Sequence, residues 1–214
     1  MTERNAPGRG APIGVFDSGL GGLTAYRELR RLLPQENLVY FGDTGRVPYG
    51  TRSRETIEKY AEQDCRFLMG GGVKRIIAAC GTVSSTAPGV LERLPVPACG
   101  VVEPAADAAL AASRSGRIGV IGTSATIRSG AFQRRIEAAR PAVRVFAAAC
   151  PLFVPLVENG WIEPGDEVAR AIVRRYMQPL KAEGIDTLIL GCTHFPLLAP
   201  FLSEELGDEV VLID

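Results

Sequence analysis

Two of the five cysteines in this 214-residue chain close apolar, strand-like runs, Ile77-Ala78-Ala79-Cys80-Gly81-Thr82 and Ile189-Leu190-Gly191-Cys192-Thr193-His194. The residues after each, Gly81-Thr82-Val83-Ser84-Ser85 and Thr193-His194, make poor core and good ligand-binding material. A thiol has an ordinary pKa of about 8.5 that its surroundings can move towards neutrality, so a thiolate is a credible base for a weak carbon acid. Two thiols flanking one carbon can take a proton from one face and return one to the other. The α-hydrogen of an amino acid suits that chemistry, which needs a placed base, charge stabilisation and exclusion of water. Many enzymes of this kind bind pyridoxal phosphate through a lysine. Lys59, Lys74 and Lys181, the three lysines here, stand in charged helical or pre-strand contexts, which points to a cofactor-free route.

Around the two thiols, Asp17 and Glu158 can tune or relay protons. His194, the only histidine, is two positions from Cys192 and can act as its proton partner or bind a carboxylate. A metal site on Cys192 and His194 lacks further His or Cys ligands nearby, so no metal is expected. Asp17-Ser18-Gly19-Leu20-Gly21-Gly22 is neither G-x-G-x-x-G nor a phosphate loop with its lysine, yet its N–H groups can cradle an α-carboxylate. The loop from Gly42 to Gly50 adds the Tyr49 hydroxyl and backbone amides. Cys65, Cys99 and Cys150 read as small core residues. Five widely spaced cysteines with no C-x-x-C pair indicate neither a disulfide framework nor a zinc knuckle, and free thiols fit a reducing cytoplasm.

These residues need elements to position them. Short apolar runs at 12–16, 38–41, 75–79 and 118–123 alternate with segments of helical period such as 53–69, the pattern of a parallel sheet covered on both faces. The pattern restarts. Ile13-Gly14-Val15-Phe16-Asp17-Ser18 aligns with Ile118-Gly119-Val120-Ile121-Gly122-Thr123 at an offset of 105, and the two cysteine segments align at 112. The repeat predicts an α/β fold of two similar, doubly wound lobes with mostly parallel sheets, related by a pseudo-two-fold. The first lobe is expected over 1–100, with 211–214 returning towards it, and the second over 101–210. Their joint is placed near Pro95 to Pro104, where prolines break the periodicity. Ligands of such sheets bind beyond the carboxyl ends of the strands, where Asp17-Ser18, Cys80, Thr123 and Cys192 fall. The repeat thus predicts one thiol on each side of a common cleft, as the active site.

Charge and hydropathy narrow the partners. Lys and Arg total 24 against 24 Asp and Glu, interspersed, which argues against a nucleic-acid surface. No run of roughly eighteen apolar residues offers a membrane span, and the polar first twelve residues carry no apolar leader core, so a cytoplasmic protein is expected. A chain of this length buries about 70% of its unfolded surface, enough for a sizeable core.

Taken in order, several segments resemble the glutamate racemases of the cofactor-independent aspartate/glutamate racemase superfamily. They are Phe16-Asp17-Ser18-Gly19-Leu20-Gly21-Gly22, Gly42-Asp43 through Pro48-Tyr49-Gly50, Ala79-Cys80-x-Thr82, Cys150-Pro151 through Val157-Glu158, and Leu190-Gly191-Cys192-Thr193-His194-Phe195-Pro196. The resemblance implies that Cys80 and Cys192 are the catalytic bases, assisted by Asp17, Glu158 and His194. It also implies that Asp17, Ser18, Tyr49, Gly50, Gly81, Thr82, Thr193 and His194 line a glutamate site. The implied role is to supply D-glutamate for bacterial peptidoglycan.

The family usually has Asn after its first catalytic cysteine, where this chain has Gly81, with water, Ser84 or Ser85 as candidate replacements for the lost amide. The family chain also crosses back to complete the first lobe, whereas this one ends at Val210-Val211-Leu212-Ile213-Asp214, leaving first-lobe apolar surface expected to be uncovered. Racemisation of aspartate or another amino acid stays open, as does an inactive relative that binds an acidic ligand. So does a homodimer.

Overall fold

A computed structural model describes residues 8–214. It divides into two compact units, Met1–Val101 and Val102–Asp214.

The first unit runs β1 (Ile13–Asp17), α1 (Leu23–Leu32), β2 (Leu38–Gly42), α2 (Arg54–Gly70), β3 (Arg75–Ala78), α3 (Gly81–Thr86), α4 (Pro88–Glu92) and β4 (Ala98–Gly100). The strands form one parallel sheet in the order β2-β1-β3-β4. β1 is buried along its whole length, as a central strand covered on both faces must be. The Ser53 hydroxyl oxygen caps α2 by accepting the Thr56 N–H at 3.3 Å, and Ile57, Ala61, Cys65 and Leu68 form its buried stripe. Asp64 lies on that same buried stripe.

The second unit runs α5 (Val102–Ala112), β5 (Arg117–Gly122), α6 (Ser124–Ser129), α7 (Ala131–Ala139), β6 (Arg144–Ala149), α8 (Phe153–Glu158), α9 (Glu167–Ala182) and β7 (Thr187–Leu190). A 3₁₀ turn (Phe195–Leu198), α10 (Ala199–Leu206) and β8 (Val211–Ile213) complete it. Its parallel sheet has the order β6-β5-β7-β8, the order of the first unit repeated. The pleat sends alternate side chains to opposite cores. Ile118 and Val120 of β5 and Ile189 of β7 pack with Ala106, Leu110, Phe132 and Ile136 of α5 and α7. Ile121 of β5 and Leu188 and Leu190 of β7 pack with Val173, Met177 and Leu202 of α9 and α10. Helices therefore cover both faces.

The sequence repeat is a repeat of hydrogen-bonded register. Ile13 stands opposite Arg75 in one sheet and Ile118 opposite Thr187 in the other, the same separations that align the two halves of the sequence. One expectation changes. Residues 211–213 do not return to the first lobe: they form β8, parallel to β7 with Val211 opposite Thr187, because an apolar triplet after α10 adds a strand beside β7 at the edge of this sheet. The boundary between the units, at Val101–Val102, falls within the proline-containing stretch 95–104, which also holds β4 and the start of α5.

In both sheets the connections leave the central strand in opposite directions, so a crevice opens beyond its carboxyl end and that of the strand beside it. In the first unit those ends carry Asp17 and Cys80. In the second they carry Thr123 and Cys192.

Candidate active site

In the first unit, Asp17 ends β1 with its carboxylate buried, and its Oδ2 accepts the N–H groups of Gly19 at 3.0 Å and Gly22 at 3.2 Å. Two amides of the turn expected to cradle a carboxylate are thus held by Asp17 itself. The Tyr40 hydroxyl donates to the Gly19 carbonyl at 2.7 Å and pins the turn from β2. At the end of β2, a Cβ on Gly42 would stand 2.3 Å from the Gly19 carbonyl oxygen, so only glycine permits this approach.

That turn carries Ser18 to Cys80, with Ser18 Oγ 3.6 Å from Cys80 Sγ. Burial pushes the Cys80 thiol up to about 12, and the nearby Asp17 carboxylate adds to the effect; the Val83 N–H and the Ser18 N–H and hydroxyl work the other way by favouring the thiolate, whereas the thiol itself donates to Ser18 Oγ. Cys80 therefore rests as a thiol, with donors in place for a thiolate. Gly81 and Thr82 follow as buried residues of α3. Ser84 Oγ donates to the Ala78 carbonyl at 2.9 Å and Ser85 Oγ to the Gly81 carbonyl at 2.7 Å. Both hydroxyl protons are spent inside the fold, so neither serine has a proton left to donate in place of an amide side chain at position 81.

Tyr49 is buried, with its hydroxyl turned inward to the carboxylates of Asp43 and Asp64. Gly50 is buried beside it. The Tyr49 hydroxyl thus belongs to a polar cluster within the unit, and what this loop offers a ligand is its backbone.

In the second unit, Cys192 follows β7, with Sγ 3.7 Å from His194 Nδ1. His194 Nε2 is 3.2 Å from Glu158 Oε1 at the end of α8. With Glu158 accepting from Nε2–H, Nδ1 remains as the acceptor facing sulfur, giving a thiol–imidazole–carboxylate relay. Phe153 at the start of α8 packs edge-on to Phe195, their ring centroids 5.0 Å apart, and holds α8 against the segment that carries His194. Cys192 and His194 are buried, whereas Glu158 is exposed. Thr123, which follows β5 as Ser18 follows β1, caps α6 through Oγ1, which accepts the Thr126 N–H at 3.2 Å. Thr193 lies between Cys192 and His194 and is half-buried.

The structure thus gathers Asp17, Ser18, Cys80, Gly81 and Thr82 in one unit, and Glu158, Cys192, Thr193 and His194 in the other. Of the remaining cysteines, Cys65 and Cys150 are buried, but Cys99 is exposed because β4 is an edge strand with one neighbour. Tyr40 and Asp64 were not singled out from the sequence. Tyr40 sits in an apolar run that reads as plain core. Asp64 had a readable signal, a carboxylate three residues after Ala61 and four before Leu68 on an apolar stripe. Among the described residues, no group of three His, Cys, Asp or Glu side chains is arranged to hold a metal ion, and no helix is long and apolar enough to cross a membrane.

Comparison with known proteins joins these observations. The family described as Asp/Glu/Hydantoin racemase matches residues 13–214. A glutamate racemase of Geobacter metallireducens is 50% identical over 203 residues, covering 94% of this chain and 74% of that protein. The crystal structure of a glutamate racemase isoform from Bacillus anthracis superposes with a TM-score of 0.91 at 39% identity, covering 96% of this chain and 77% of that one. A glutamate racemase from Francisella tularensis, crystallised with D-glutamate, gives a TM-score of 0.88 at 39% identity over 96% of this chain and 76% of that one. The chain belongs to the Asp/Glu/Hydantoin racemase family and is an amino-acid racemase.

Proposed function

We propose that this protein interconverts L- and D-glutamate without a cofactor, by proton transfer at Cα between Cys80 and Cys192, and so supplies D-glutamate for peptidoglycan in the cytoplasm. The observation that carries the reading is the repeat itself: each unit presents one thiol at the same topological position, with its own set of proton partners. The names of the relatives, and the D-glutamate in the Francisella tularensis structure, support glutamate as the substrate.

In this mechanism the thiolate of one cysteine takes the α-proton, leaving the electron pair delocalised into the substrate carboxylate. The thiol of the other cysteine then protonates the opposite face. Cys80, held as a thiol by burial and by Asp17, is the ready donor. Cys192, whose proton His194 can accept with Glu158 behind it, is the ready base. After one turnover the two have exchanged states, which serves the opposite enantiomer. Asp17, Ser18, Gly81 and Thr82 in one unit, Thr193 and His194 in the other, and the Tyr49–Gly50 backbone line the substrate.

Incubation with L-glutamate in D₂O is expected to yield D-glutamate carrying deuterium at Cα. Saturable glutamate binding with no α-exchange from either enantiomer would instead identify a non-catalytic relative, and faster turnover of L-aspartate would move the substrate assignment.

A further inference from the structure

The loop between β2 and α2 is held by a cluster of polar side chains within the first unit. The Tyr49 hydroxyl donates to Asp43 and lies 2.9 Å from Asp64 Oδ2. Arg46 spans the same two carboxylates, from Nε to Asp43 Oδ2 at 2.5 Å and from an Nη to Asp64 Oδ1 at 2.9 Å. Its other Nη donates to Gln63, and its guanidinium carbon sits 4.3 Å from the centroid of the Tyr60 ring. Tyr60 also packs on Tyr49, ring centroids 5.2 Å apart. Asp64 is the one member of this cluster that is both a carboxylate and rooted in α2, and its side chain is fully buried.

We infer that Asp64 is a positioning residue for the substrate loop: from α2 it holds the Tyr49 phenol and the Arg46 guanidinium, and through them fixes residues 43–50, whose Tyr49–Gly50 end lines the proposed site. This inference rests on the glutamate reading of that site. Proton counting supports it. A phenol has one proton, so an oxygen bonded to two carboxyl groups needs one of them protonated and donating back. Burial foremost, with Asp43 adding to it, raises Asp64 to about 6 against the opposing bond from Tyr49 and the charge of Arg46. Below about pH 6 Asp64 therefore carries the extra proton, and the cluster is neutral when it does.

The other groups around Asp64 do not take over this role. Cys65 beside it on α2 has its own thiol raised, by burial and then by Asp64. The helix also packs on β1, β2, α3 and α4. Their titratable residues are Asp17, Tyr40 and Glu92, with none in α3. Asp17 acts on Cys80 and Tyr40.

As Asp64 loses its proton, a second buried carboxylate charge faces Asp43, and the cluster as a whole is less stable although Tyr49 still donates to it. In Asp64→Asn the amide N–H donates permanently to the phenol while the amide oxygen still accepts from Arg46. In Asp64→Ala both contacts vanish. Steady-state kinetics with L- and D-glutamate from pH 5.5 to 8.5, beside thermal unfolding of each variant, test the inference. Wild-type KM is expected to rise as pH passes through about 6. D64N should stay at the low-pH value throughout. D64A should raise KM about tenfold with kcat within about threefold. If D64A does not fold, the comparison of wild type with D64N decides. Identical KM profiles for those two, or a folded D64A with wild-type KM, would overturn the inference while leaving the glutamate reading intact. A wild-type protein inert to glutamate would overturn both.

Discussion

Cys192 Sγ stands 3.7 Å from His194 Nδ1, and the far nitrogen of the same ring is bonded to Glu158, so the sulfur has a proton acceptor that is itself oriented by a carboxylate. Removing the imidazole should cost general-base assistance at Cys192 alone. His194→Asn is expected to lower kcat by about 10²-fold in the direction where Cys192 removes the α-proton, and by less in the other. Circular dichroism of the glutamate pool, followed from each enantiomer separately, measures both directions; equal losses would argue against the pairing.

Replacing either thiol removes one of the two proposed bases without emptying the site. Cys80→Ser and Cys192→Ser are each expected to lose racemisation by more than about 10³-fold. Each should retain wash-out of the α-hydrogen from the one enantiomer that faces the remaining thiol. NMR of α-proton loss in D₂O, run from both enantiomers, reads this out, and full racemisation by both variants would refute the roles.

Ser18 is predicted to matter through Cys80. Its hydroxyl is one of the donors that counter the burial of that thiol, so Ser18→Ala leaves the thiolate less stabilised and the thiol pKa higher still. A loss of about 1 kcal/mol, or roughly three- to tenfold in kcat, is expected with little change in melting temperature.

Backbone contact makes a separate prediction at Gly42. A methyl there would press on the Gly19 carbonyl at 2.3 Å and push the Asp17–Gly22 turn away from Cys80. Gly42→Ala should destabilise by about 1–3 kcal/mol and lower kcat more than tenfold. Gly70→Ala, at the end of α2 with nothing within 4 Å of the added carbon, should stay within about 1 kcal/mol of wild type in chemical denaturation.

Asp186 gives a pH signature of stability at the opposite end of β7 from Cys192. Burial works against its charge, but the Ser115 N–H and the hydroxyls of Ser113, Ser115 and Thr187 prevail, and they hold the carboxylate well below the usual range. The Arg114 N–H adds a further bond at 2.8 Å. A depressed folded pKa means that this contribution is present above the unfolded value of about 4 and is lost as pH falls below it. Asp186→Asn should cost about 1–2 kcal/mol at pH 7, with the gap to wild type closing in urea titrations carried out under increasingly acidic conditions.

Much of the architecture is legible because it depends on local pattern. Continuous apolar runs mark buried parallel strands, and the offsets of 105 and 112 are register relations that survive as sequence similarity. Cys80 and Cys192 stand out because small polar residues at a strand end have no packing role. The rest depends on where side chains point. Nothing in Gly81-Thr82-Val83-Ser84-Ser85 tells that both serine hydroxyls turn back onto backbone carbonyls. Nothing in Val47-Pro48-Tyr49-Gly50 tells that the phenol turns inward, because its partner Asp64 is fifteen residues away on another element. β8 was misplaced for a related reason: a terminal apolar triplet can add to any sheet with a free edge, and the choice is made by tertiary packing.

The two thiols have unlike neighbours, a serine and a carboxylate for Cys80 and an imidazole for Cys192, although the sheets beneath them are alike. The proposed substrate and product are mirror images, so in water their equilibrium constant is one whatever the enzyme does. The ratio kcat/KM must then be the same from either enantiomer, and an unequal pair of bases cannot favour one hand at equilibrium. What the inequality can do is divide that shared ratio differently, so that one enantiomer is bound more tightly and turned over more slowly than its reflection.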